Sequence, residues 1–227
     1  MTEKIKFTEH DRLFYSDGYQ LGQSAAQGGL TTQKLFEAQK TLYQSIDGLI
    51  DSLLMLAKKQ EIDVACHKGC FWCCHQAVYA NSFEIHYLTD HILKNFSKEK
   101  QKQILSIATA KNNRTNQLSA NDVLKYKSPC PLLENGACLA YEARPMACRI
   151  YLSTKLPSCQ EFFHHPENKK NYPALMDFPL RAGRMMNEGF RAALKENGIE
   201  PAELRLEEGL VSALTNPEIA NAQINKK

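Results

Sequence analysis

At 227 residues with 43% hydrophobic content, the chain is long enough to bury a core of its own. Its formal net charge of +3 is small, and no basic stripe interleaved with aromatics occurs, which leaves nucleic acid without an electrostatic footprint. No stretch, Met1 to Leu13 included, is apolar for long enough to serve as a secretory signal or a membrane span, so a cytoplasmic location with no membrane partner is expected.

Residues 1–30 show no clean periodicity, and the glycines at 18, 22, 28 and 29 predict an irregular lead-in. From Thr32 the pattern changes: Leu35, Ala38, Leu42, Ile46, Leu49, Leu53 and Leu56 recur at steps of three and four. That spacing predicts a helix over 32–58 with a single apolar stripe, facing the core or, over 32–57, a protein partner. Lys58 and Lys59 suit its C-terminus. After a short strand-like or loop piece, Asn81 is placed to cap a second helix with Glu84 reaching back, burying Ile85, Leu88, Ile92 and Phe96. Ser97 caps a third through Ile104, Ile107 and Ala108, which the polar tract from Lys111 to Asn116 ends or frays.

Between Ser128 and Pro173, Pro129, Pro131, Gly136, Pro145, Pro157 and Pro166 interrupt every helical pattern and predict loops, with Pro145 starting a helical turn that carries Cys148. Helical periodicity returns after Asp177, with Gly183, Met186, Phe190 and Ala193 on one face and Gly198 as a stop; Pro201 then starts a last helix. The expected fold class is all-α or mainly α. It is a single domain over 1–227 in which helices 32–58 and 178–215 flank a cysteine region at 66–159 whose loops form a metal centre.

Eight cysteines fall in two packets, Cys66, Cys70, Cys73 and Cys74, then Cys130, Cys138, Cys148 and Cys159. In a reducing compartment such bunching reads as metal ligation before it reads as disulfides, because thiolate is the preferred ligand of zinc and of iron-sulfur clusters. Gly69 gives the backbone freedom to turn around a metal. Adjacent Cys73 and Cys74 point to opposite faces of an extended segment, so they serve different metals, or one metal and another role. Cys74 and Cys159 are the two most readily spared. Eight thiolates complete two zinc sites, two 4Fe–4S cubanes, or one cluster with cysteines left over. Lys68, Arg144, Arg149 and Lys155 are near enough in sequence to offset thiolate charge. Arg144 and Arg149 are the candidate cofactor-binding residues, able to neutralise thiolates or grip a cofactor carboxylate, with salt bridges to Glu142 or Glu161 as the alternative. Phe71 and Trp72 would shield a cluster. His67 and His75 flank the first packet as outer residues, His164 and His165 are expected to face solvent, and Met185 and Met186 read as packing.

Cys66-x3-Cys70-x2-Cys73 is similar to the cluster motif of radical S-adenosylmethionine enzymes, but a helical stripe precedes it here and no alternation of strands and helices follows. A fuller set of residues resembles the YkgJ-type cysteine-cluster family of zinc- or iron-chelating domains: the first packet ending in the Cys73-Cys74 doublet, the run from Cys130 through Gly136, Cys138, Arg144 and Pro145 to Cys148-Arg149, and Cys159. The resemblance implies metal binding, with an iron-sulfur cluster slightly ahead of zinc. One branch of that family is similar to flagellin lysine-N-methylases, which implies S-adenosylmethionine and protein-lysine methylation as the alternative. No glycine-rich strand-loop-helix of ordinary methyltransferases is present. A zinc-stabilised partner-binding protein is the third class.

Overall fold

A computed structural model of the protein describes residues 7–67, 69–168 and 170–216. Among these residues the fold is mainly α, with nine α-helices and two small two-stranded sheets. The first helix, α1 (Glu9–Ala26), replaces the expected irregular lead-in. The Thr8 hydroxyl caps it by accepting from the Asp11 N–H at 3.2 Å, and the Asp11 carboxylate accepts from the Thr8 N–H at 2.7 Å. Its buried face is Asp11, Gly18, Gly22 and Ala25, a stripe too small and polar to register as hydrophobic periodicity.

Those small residues let α1 lie directly on α8 (Asp177–Glu196). A Cβ on Gly18 would stand 1.9 Å from the Met186 carbonyl oxygen, and one on Gly189 2.0 Å from that of Tyr15. The contact is therefore backbone against backbone. The carboxylate of Asp11 pairs with the Arg181 guanidinium, and the Tyr19 hydroxyl donates to Glu196 at 2.5 Å.

Across these two lies α2 (Thr32–Lys59), with Leu35, Leu42, Tyr43, Ile46 and Ile50 buried against Phe83, Met146 and Phe190 in the larger core cluster. The predicted stripe holds as far as Leu49. Its last member, Leu56, is 49% exposed, the buried positions there being Ile50 and Ala57.

The second core joins α3 (Ser82–Asn95), α4 (Lys98–Thr115) and α9 (Leu206–Thr215) through Leu88, Ile92, Ile104, Leu132 and Leu210, with α5 (Ala120–Lys125) following α4. Asn81 caps α3 as expected: the Glu84 carboxylate accepts from its N–H and its side-chain amide. The tract from Lys111 to Asn116 does not fray. Lys111 and Thr115 are buried, their polar atoms bonding the Ser128 carbonyl and the Glu207 carboxylate, while Ile107 faces outward. Pro201 precedes a strand and not a helix: β4 (Glu203–Arg205) pairs antiparallel with β1 (Tyr79–Asn81) before α9 begins.

The segment expected as loops holds a hairpin, β2 (Leu133–Glu134) and β3 (Ala137–Cys138). Its two-residue turn, Asn135-Gly136, has positive φ at both positions, the geometry that matches strand twist. Two short helices follow, α6 (Met146–Arg149), started after Pro145 as predicted, and α7 (Leu156–His164). Pro157 sits in the first turn of α7, where a missing N–H costs nothing. Gly198, at φ 83°, stops α8. No helix among the described residues is long and apolar enough to cross a membrane.

Candidate metal centre

The two cysteine packets are brought to one chamber of about 930 Å3, whose wall includes Cys66, Cys70, Cys73, Cys74, Cys130, Cys138 and Cys148. Cys159, buried on α7, lies outside that wall. All eight are free thiols. The first packet turns at Gly69, whose φ of 96° suits glycine, and enters a 3₁₀ turn, Trp72–His75, that carries Cys73 and Cys74. The Cys130 N–H donates to the Cys74 carbonyl at 2.8 Å, which fastens the two packets together through their backbones. Cys138 comes from the hairpin and Cys148 from α6.

Burial is the leading cause of the elevated thiol pKa values: it pushes Cys66 and Cys130 up to about 11 and Cys148 well above the ordinary range. Cys73 and Cys74 share a hydrogen bond, so one proton leaves that pair easily, from Cys73, and the other is held more tightly. The Ser153 N–H donates to the Cys66 sulfur at 3.0 Å. Electrostatically, Cys66 feels Cys73, Cys70 and Cys159, whereas Cys74 feels Cys73, Cys130 and Cys148. The doublet stands between two neighbourhoods of thiols.

The two arginines have separate environments. Arg149 is buried, and its guanidinium is consumed by the fold: it pairs with Asp47, donates to the Glu142 and Arg144 carbonyls, and lies over the Tyr43 ring. Its acidic partner is thus Asp47 of α2, with Glu142 contributing only a carbonyl. Arg144 stacks on the Tyr141 ring and reaches Asp47 at 4.0 Å, and its buried Nε has no hydrogen-bond partner. Its charge eases deprotonation of Cys73, Cys138 and Cys148. Lys155 is exposed, and Lys68 lies outside the described residues.

Asp47 is a positioning group that the sequence reading did not single out, and Glu84 reaches well beyond the cap expected of it. The buried Glu84 carboxylate accepts from the Tyr43 hydroxyl, the Met146 N–H that opens α6, and the Asn187 amide. A local capping pattern gives Glu84 a nearby role but no sign of these distant donors. Asp47 carries a signal, an acidic residue set between the apolar Ile46 and Leu49 of the α2 stripe.

Aromatic rings cover the outer side. Trp72 stacks on Phe71 at 5.2 Å and meets Phe163 and His164 of α7 edge-on; His75 meets Phe163 at 5.1 Å. His165 is exposed beside Glu167. Met186 packs in the core, while Met185 borders the chamber.

Among the described residues, no group of three or more Cys, His, Asp or Glu side chains is gathered tightly enough to hold a metal ion. The donor chemistry nevertheless fits a thiophilic metal. Buried thiols that keep their protons until a cation replaces them, with a guanidinium nearby to balance thiolate charge, are donors such an ion accepts once the sulfurs close inward. Residues 65–174 match the family model CxxCxxCC, described as "Putative zinc- or iron-chelating domain". No curated protein and no solved structure matches the chain.

Proposed function

We propose, from the match of residues 65–174 to the CxxCxxCC family model, that the chain chelates zinc or iron through its eight cysteines, with an iron-sulfur cluster as the favoured form. One observation carries the reading: seven cysteines from four separate pieces of chain line a single chamber. The donors are spread around the chamber wall, an arrangement that suits a cluster or more than one metal ion. Bound metal would supply thiolate bonds that tie the first packet to the hairpin, α6 and α7, and so contribute directly to folding. Arg144 is the charge-balancing residue of the site, and Arg149 holds the chamber wall to α2. A reducing compartment such as the cytoplasm suits thiols in this state.

Anaerobic purification followed by metal analysis and a visible absorption spectrum tests the proposal. Iron with acid-labile sulfide and a broad visible band is the expected result; colourless protein with zinc would replace the cluster by zinc; protein free of both metals would overturn the reading. The partner-binding alternative narrows to the end of α2, where Met55 and Leu56 are exposed.

A further inference from the structure

We infer that the thiols form two metal sites of unequal permanence, an inner site that is part of the fold and an outer, exchangeable site for a thiophilic cation, with α7 as its latch. This deepens the chelating reading above and rests on it. The inner site takes Cys74, Cys130, Cys138 and Cys148. The outer takes Cys66, Cys70, Cys73 and Cys159.

Every inner thiol is carried on backbone anchored to the helical body. The Cys130 N–H bonds the Cys74 carbonyl, and Cys138 is paired with Leu133 across the hairpin. Both Cys130 and Cys138 pack against the second core. Cys148 rides on α6, whose first N–H is held by the buried Glu84 carboxylate at 2.8 Å. Removing a metal from this set leaves its frame in place.

The outer thiols are assembled around the segment 150–159. The Ala65 N–H donates to the Ser153 carbonyl, and the Ser153 N–H donates back to the Cys66 sulfur. Cys159 arrives on α7, and the attachment of α7 differs in kind. Its side-chain hydrogen bonds to other segments run to the loop that follows it, from the Ala174 N–H to the Ser158 hydroxyl and from the Asn171 amide to Glu161. What seats it on the 3₁₀ turn is ring contact: Phe163 against Trp72 at 5.3 Å and against His75 at 5.1 Å, with Lys127 Nζ 3.8 Å over the Phe162 ring. Cys159 and Phe163 are one turn apart on one face, so the ring that docks the helix also brings the sulfur in. Lifting α7 withdraws one thiolate and exposes the other three, while the inner set stays enclosed.

Trp72, the single tryptophan of the chain, sits under that latch and reports on it. The test follows Trp72 emission and metal content together while anaerobically purified full-length protein is challenged with EDTA. Release in two phases is expected, the first accompanied by the Trp72 change. Phe163→Ala, which removes no sulfur, should speed the first phase at least tenfold and leave the second unaltered. Cys159→Ser should abolish the first phase and retain the metal of the second. One-phase release from the wild type, an unchanged first phase in Phe163→Ala, or full metal content in Cys159→Ser would each overturn the inference while leaving the chelating reading intact. Wild-type protein carrying neither zinc nor iron would remove both.

Discussion

The helical body and the cysteine region are held together by different physics. Around α1, α2 and α8 the stabilising term is buried hydrocarbon, together with a glycine-lined contact in which two backbones touch. From Cys66 to Met176 the elements are two to nine residues long, apart from α3 and α4, and the chamber they enclose is walled by thiols with little hydrocarbon packed across it. A chain can thus commit to its fold in one half and leave the other half to be completed by a ligand.

Metal removal is the largest way to break this comparison. Structural thiolate sites contribute on the order of 10 kcal/mol in small zinc domains. Chelation should therefore raise hydrogen exchange at amides around the first packet and α7, while those of α2 and α8 stay protected. Equal deprotection of both halves would show that the body has no stability of its own.

Gly189→Ala attacks the body instead. The added Cβ meets a backbone carbonyl that cannot turn aside, and a loss of about 3 kcal/mol in denaturant unfolding is expected, with the metal content of the folded protein unchanged. Asp47→Ala strikes the seam, because it leaves the buried Arg149 guanidinium with carbonyl partners only. Asp47 is partly exposed, so the loss should be about 2 kcal/mol, less than for a fully enclosed pair. Unlike Gly189→Ala, it should also weaken metal retention in competition with a chelator.

The smallest effect is one of pH. The Arg181 guanidinium, helped by the Thr8 N–H, holds the Asp11 carboxyl well below the usual carboxylate range. A depressed folded-state value means stabilisation that is complete above the unfolded value of about 4 and is lost as pH falls below it. The stability difference between metal-free wild type and Asp11→Asn should be constant near neutrality and shrink in acid. A difference that persists unchanged at low pH would show that Asp11 acts by shape alone.

The same contrast governs what was legible in the sequence. The helices α2, α3 and α8 declare themselves because large apolar residues recur at helical spacing, and the Asn81–Glu84 cap and the Gly198 stop are local chemistry. Helix α1 is silent because its buried face is glycine, alanine and a paired aspartate. Pro157 reads as a breaker until its first-turn position in α7 is known, and three-residue strands such as β1 and β4 have too little length to show alternation. The cysteines mark the metal-binding segment by spacing alone, but their division between chamber wall and α7 is a property of tertiary packing. So is the partner of Arg149, which lies 102 residues away.

The Glu84 carboxylate has a consequence for the order of assembly. It ties α2, the start of α3, the first residue of α6 and α8 through hydrogen bonds that require no metal. The mount that carries Cys148 is therefore held by protein groups alone. Under the proposed chelation, that thiol is offered from a frame that needs no cation to form, and the other sulfurs are gathered onto it.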